Sequence, residues 1–232
     1  MSIDQASDDA PISQASKSAR EAPSRSGAKR VRKKPEARRA EIVSAAAEIA
    51  LEEGLERITM RRVADELGVR PGLIGHYFPV AEDLVAEAFG VAAAAELDEL
   101  LPDRPEEPAP ERLARFFSLT AGSAYDRMSR LWLNARHLSR YRDGLRERVG
   151  EREAQWRERL SGVIRAGAEA GAFRTADPET AAARILVVLD GLGAHANTAR
   201  RDHRPAVADM AVATAEHELD LPRGALGRPS DR

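Results

Sequence analysis

Residues 59–78, TMRRVADELGVRPGLIGHYF, decide the fold. Ala64 is small enough to let two short helices cross, Gly68 permits a turn between them, and Ile74 pins the second helix. Val63, Leu67, Val69, Ile74 and Tyr77 supply the buried face of this pair. Arg61, Arg62, Arg70, Pro71, Gly72, Gly75 and His76 are left facing outward. A second helix whose outer face is small, polar and basic suits the DNA major groove. Thr59 is a good N-cap for the first helix. Pro71 opens the second, and Phe78-Pro79 stops it. That helix spans about 8 residues, or about 12 Å. It is too short to stand alone, so the helices before and after it must hold it.

Upstream, RRAEIVSAAAEIALEEG reads as the first supporting helix, starting near Pro35-Glu36 with its acidic residue at the positive end of the dipole. Ile42, Ala46, Ile49 and Ala50 make its inner stripe, and Gly54 ends it. Lys29, Arg30, Arg32, Lys33, Lys34, Arg38 and Arg39 cluster at its start. Such a cluster either stays solvated or reaches phosphates beside a docked helix, and the neighbouring helix-turn-helix favours the second reading. Residues 1–35 lack periodicity and are expected to be a disordered basic arm.

Composition supports a helical, water-soluble protein. Hydrophobic residues make up 43% of the 232 residues, but aromatics only 4%. Alanine and leucine must therefore do most of the packing, which favours helices over sheets. There are no cysteines, so neither disulfides nor thiolate chemistry enter, and a cytoplasmic location is expected. The polar, acidic start is not a secretory signal, and no apolar run reaches the ~20 residues that a membrane span needs. The net charge of −2 does not announce a nucleic-acid binder, whereas the placement of the basic residues does.

From Ala81 to about Leu101 the pattern is again helical. The acidic, Pro-rich segment LPDRPEEPAP then reads as a link between a DNA-binding head and a larger body. Helices are expected at about 110–127, 129–139, 143–170, 178–200 and 205–219. Gly171 closes one of them, and Asp177 caps the next. The helix after Asp177 carries Ala182, Ile185, Leu186, Val188, Leu189, Leu192, Gly193 and Ala196 around much of its circumference, so more than one neighbour must cover it. With Val207, Met210, Ala211 and Thr214 of the last helix, these residues either finish the core of one chain or form a four-helix interface between two.

The stretch quoted first resembles the DNA-binding domain of the tetracycline-repressor (TetR) family. Gly54, Thr59, the LGV triplet, Pro71-Gly72-Leu73-Ile74, His76-Tyr77-Phe78 and the following AEDLVAEAF carry the resemblance over residues 38–89. GLIGHYF is most similar to the betaine-operon repressor branch. The resemblance implies an all-α protein: a three-helix DNA-binding head (36–80), a helical ligand-binding and dimerisation domain (81–221), and a disordered tail (222–232). It implies a ligand-responsive repressor that binds a palindromic double-stranded DNA operator as a homodimer. Lys33, Lys34, Thr59, Arg61, Arg62, Arg70, Pro71, Gly72, Leu73, Gly75, His76 and Tyr77 are the expected DNA-facing residues. Phe89, Phe116, Tyr125, Met128, Trp132, His137 and Trp156 are the expected lining for a small organic ligand. Ile185, Leu189, Leu192, Gly193, Ala196, Val207, Met210 and Thr214 are the expected dimer interface.

Three positions depart from the family pattern. Arg70 stands where Ser or Thr is common, exchanging a helix cap for a cation. Gly75 replaces a hydroxyl-bearing residue, and Ala81 replaces a phosphate-directed Lys. The histidines lack two-ligand metal spacing, and no nucleophile elbow or phosphate loop occurs. Neither a metal nor a cofactor nor an enzymatic activity is therefore expected. The alternative reading, a helical interaction module without DNA, would leave the basic arm, Arg61 and Arg62 without a partner.

Overall fold

The computed structural model describes residues 34–120, 123–198 and 209–227. Lys33 and the rest of the basic cluster before it, together with Val207, lie outside the described residues. The described residues hold helices and no strand. They are α1 (Pro35–Glu53), α2 (Met60–Leu67), α3 (Pro71–Tyr77), α4 (Ala81–Leu100), α5 (Ala109–Thr120), α6 (Ser123–Ser139), α7 (Asp143–Glu169), α8 (Pro178–Thr198) and α9 (Met210–Glu218). A single 3-10 turn, Leu55–Arg57, joins α1 to α2.

The expected stripe of α1 is buried: Ile42, Ala46, Ile49 and Ala50, joined by Val43 and Ala47. Gly54 takes φ 99°, a conformation open to glycine, and its N–H closes the helix on the Ala50 carbonyl. The α1 stripe packs on α4, which runs on into the body and packs on α7. One apolar cluster therefore runs continuously from Ile42 to Leu226. The segment expected to part head from body instead joins α4 to α5. Leu101 is fully buried there, so the Pro-rich composition marks a tight connection within the body.

Helix α6 begins at Ser123 and takes in residues that the sequence pattern gave to the preceding helix. The pattern put the break near Met128-Ser129, where no helix-breaking residue occurs, while Gly122 is the nearer breaker. Asp177 caps α8 as expected, accepting from the Glu179 N–H at 3.0 Å. The tail differs from expectation. Through Gly227 the chain turns back, the Leu226 N–H donates to Glu216 Oε1 at 3.0 Å, and Leu226 is buried. One leucine in a Pro- and Gly-rich tail is enough to anchor it, because it meets a core that already has an acceptor in place. No helix among the described residues is long and apolar enough to cross a membrane.

Candidate functional site

The head is assembled from local signals. Thr59 Oγ1 accepts from the Arg62 N–H at 3.0 Å and starts α2. Gly68 sits in the left-handed region at φ 61°, and the Val69 N–H then bonds the Ala64 carbonyl at 2.9 Å. This glycine turn aims α3 away from α2. Val63, Ala64 and Ile74 are fully buried at the crossing, with Leu67, Val69 and Tyr77 packed at its edge. Phe78 is buried behind the end of α3, and the Arg39 guanidinium lies 4.7 Å from its ring centroid. Arg39 also bonds Glu87 of α4, so one side chain ties α1, the end of α3 and α4 together.

Held this way, α3 presents Arg70, Pro71, Gly72 and His76 to the outside, with Leu73, Gly75 and Tyr77 half-buried beside them. A Cβ added at Gly72 or Gly75 would meet nothing, so both backbones are open to close approach. Arg70 caps α3 by position only and makes no side-chain cap bond. Lys34 and Thr59 are exposed on the same head. The two arginines of α2 part company. The Arg61 side chain is 88% exposed, with only Asp65 near it at 4.0 Å. Arg62 reaches Glu53 at 2.6 Å and Glu66 at 2.8 Å. The bond to Glu53 holds the guanidinium firmly protonated and pulls the Glu53 carboxyl below its usual range. Arg62 thus clamps α2 to the end of α1, in addition to any role toward DNA.

The body contains a cavity of about 230 Å³ between α4, α5, α6, α7 and α8. Of the residues expected to line it, Phe116, Tyr125, Trp132 and Trp156 do so. Phe89 does not: it is fully buried and packs edge-on behind Trp132, with ring centroids 5.0 Å apart. Met128 packs on the core, and His137 is exposed beside Tyr141. Helical spacing brought five of the seven to the right helices but not to one face; Tyr125, expected in the preceding helix, and Met128, expected at a break, both lie in α6.

Five charged residues of the cavity, Glu96, Arg136, Glu153, Asp190 and the exposed Arg157, escaped the sequence reading. A signal existed for two of them. Glu96 stands on the apolar stripe of α4, seven residues after Phe89, and Asp190 interrupts the run LVVLDGLG. Glu96 is only 5% exposed and accepts from the Trp132 indole N–H at 2.7 Å. Burial pushes its carboxyl up to about 7. Burial likewise raises the Tyr125 hydroxyl and Asp190, the latter against the opposing pull of Arg136. Burial disfavours the Arg136 charge, but Asp190 and Glu153, each at 2.8 Å, outweigh it. Two indoles, a phenol, a phenyl ring and three carboxylates, set against Arg136 inside and the exposed Arg157, make a chamber with aromatic faces and acidic groups of the kind that hold a cation.

The expected dimer face is divided. Ile185, Leu189 and Gly193 are buried within the chain. A Cβ on Gly193 would lie 2.7 Å from Ser129 Cβ of α6, so the close approach it permits is internal. These three residues finish the monomer core and cannot face a second chain. Leu192, Ala196 and Thr214 are partly covered, and Met210 is 46% exposed. The uncovered side of α8 carries Val187, 69% exposed, with Val188 and Gly191.

An exposed helix-turn-helix on a helical body with its own chamber defines a DNA-binding transcriptional regulator. The chain belongs to the TetR family: the family description "Bacterial regulatory proteins, tetR family" matches residues 42–88, and "BetI-type transcriptional repressor, C-terminal" matches residues 109–220. No curated protein matches it. Among solved structures, it resembles a protein from Saccharomonospora viridis described as a transcriptional regulator and solved with choline. The identity is 24%, the TM-score 0.65, and the match covers 79% of this chain and 98% of that one. A transcriptional regulator from Pseudomonas aeruginosa PAO1 is 25% identical, with a TM-score of 0.63 over 80% of this chain and 92% of that one. The regulator FadR of Bacillus subtilis, solved with stearoyl-CoA, is 21% identical, with a TM-score of 0.57 over 79% and 99%. Membership makes the chain a regulator and not an enzyme.

Proposed function

We propose that the protein is a repressor that binds a palindromic operator as a homodimer and releases it on binding a small organic cation. The observation that carries this reading is the α3 face: Arg70, Pro71, Gly72 and His76 stand exposed on a helix locked from behind by Ile74 and Phe78. His76 and Arg70 are assigned to base edges, while Arg61, Lys34 and Lys33 are assigned to phosphates. Blocking polymerase by occupancy requires no further machinery, which favours repression.

The ligand class follows from the chamber. Quaternary ammonium groups are recognised by aromatic faces and by carboxylates that need not donate or accept a hydrogen bond. Trp132, Trp156, Phe116 and Tyr125 with Glu96, Asp190 and Glu153 supply both, and a structural neighbour was solved with choline. Helix α4 carries Glu96 into the chamber and packs along α1 in the head, so a ligand that shifts α4 changes the separation of two recognition helices. A second copy is assigned to the stripe of α8 on which Val187 and Gly191 stand exposed, at the edge of the chamber.

Footprinting on the DNA upstream of the protein's own coding sequence tests the whole. A protected palindrome that is lost on adding millimolar choline is expected. Absence of any protected site would reject the DNA-binding assignment. Protection indifferent to choline would reject the ligand.

A further inference from the structure

Helix α6 has two working faces. Arg130 and Asn134, four residues apart, touch the head. The Arg130 guanidinium donates to the Leu51 carbonyl at 3.2 Å. Asn134 Oδ1 accepts from the Leu55 N–H at 2.8 Å, and its Nδ2 donates to Glu56 Oε1 at 2.8 Å. Trp132 and Arg136, also four apart, lie on the opposite side and line the cavity. An offset of two residues turns about 200° around a helix, which places the two pairs back to back.

Arg136 already makes the contacts that an ammonium ligand would seek. Its guanidinium stands 5.0 Å from the Trp132 ring centroid. It pairs with Glu153 of α7 and with Asp190 of α8, both at 2.8 Å. One side chain thus covers the indole face, fills the space between two carboxylates and ties α6 to α7 and α8.

We propose that Arg136 is the resident cation of this chamber, and that a ligand acts by taking its place and so loosening the Asn134 clasp on the head. Two cations cannot share one indole face at contact distance, so a group that takes the Trp132 face between Glu153 and Asp190 must push the guanidinium aside. Loss of the ion pairs then frees α6 from α7 and α8. The clasp is sensitive to such a shift, because a hydrogen bond at 2.8 Å weakens steeply when its partners move apart or tilt. It also sits where movement counts: Leu55 and Glu56 begin the turn that sets α2 relative to α1. The ligand half of this inference rests on the cation reading of the chamber. The clasp half does not.

Two measurements on the full chain separate these halves. The first is amide hydrogen exchange at Leu55, without any ligand. Arg136→Gln is expected to speed it about tenfold, toward the rate of Asn134→Ala, while Arg136→Lys, which keeps a charge for Asp190, restores protection. Equal melting temperatures of the variants would show that the effect is local. The second is calorimetry with choline. Removing the competitor should tighten choline binding about tenfold in Arg136→Gln. Unchanged Leu55 exchange in Arg136→Gln overturns the clasp, whichever ligand the chamber takes. Equal or weaker choline binding in Arg136→Gln overturns the competition. No choline heat with either protein, together with faster Leu55 exchange, rejects the ammonium reading of the chamber and upholds the clasp.

Discussion

Glu96 is the residue whose chemistry ties the chamber to pH. Its carboxyl, pushed by burial from an ordinary 4.5 to about 7, is half protonated at neutrality. A cation beside it favours the charged form, so binding and deprotonation are linked. Choline binding is therefore expected to tighten about tenfold between pH 6 and pH 8. Arg136, Asp190 and Glu153 also face the site, and Arg136 keeps its charge across this range. In Glu96→Gln the pH dependence should vanish and the affinity fall to that of the acid form; calorimetry at the two pH values reads both. The ligand-free protein should show the opposite trend in stability. Because the folded carboxyl holds its proton up to a higher pH than the unfolded one, Glu96 makes stability fall as pH rises from about 4.5 to 7. Saturating choline should flatten that fall, visible as a melting temperature that no longer drops across the window. Elsewhere in the head, single residues divide by what they touch. Arg61→Ala should leave the melting temperature alone and lower the salt slope of DNA binding by about one. Arg62→Ala should lower the melting temperature, because it releases Glu53 and Glu66 together.

Helix α3 gives up stability for access. Gly72 and Gly75 occupy two of its seven positions, and neither is needed for a turn or for packing. Gly75→Ala should stabilise the head by up to about 1 kcal/mol, since alanine is the better helix former. The added methyl points into space that is open in the free protein, so any loss of operator affinity comes from DNA that approaches there. A variant that melts higher and still binds the operator as tightly as the parent would show that the Gly75 backbone is not a contact. The head was legible in the sequence because its determinants are local. Thr59, Gly68 and Pro71 act within a turn of where they stand, and the α1 stripe recurs at helical spacing. The chamber was half legible. Periodicity put Phe116, Trp132 and Trp156 on the right helices and Tyr125 one helix too early, and it could not separate Phe89, which packs behind the wall, from Trp132, which forms it. Arg136, Glu153 and Arg157 were hidden among the many charged residues of α6 and α7, whereas Glu96 and Asp190 stood out on apolar stripes. Only the packing of α4 against α6 and α8 against α7 reveals that they point inward.

At the scale of the whole molecule, the proposed homodimer depends on which side of α8 a second copy would meet. A helix apolar on nearly every side does not say which stripe belongs to its own core, and it was the family resemblance that implied an interface at Ile185, Leu189, Leu192, Gly193 and Ala196. The fold buries Ile185, Leu189 and Gly193 in the chain, with Gly193 set against Ser129 of α6, and leaves Val187, at the edge of the chamber, and Gly191 exposed on α8. Two substitutions therefore should act in opposite ways. Gly193→Ala places a methyl against Ser129 within the same chain and should destabilise the fold by about 1–3 kcal/mol while leaving assembly intact. A Cβ at the exposed Gly191 meets nothing among the described residues, and Gly191→Arg replaces a poor helix former, so monomer melting should hold. Across a two-fold interface the same change occurs twice and brings like charges together in a space being emptied of water. Sedimentation should then find Gly191→Arg monomeric at micromolar concentration, and Val187→Glu should behave alike. Matching two half-sites requires recognition helices about 34 Å apart on linked subunits. Separated heads lose the second, intramolecular binding event, which is worth roughly 100-fold or more in operator affinity. A Gly191→Arg protein that remains dimeric and holds the full operator as tightly as the parent would move the interface off this face of α8.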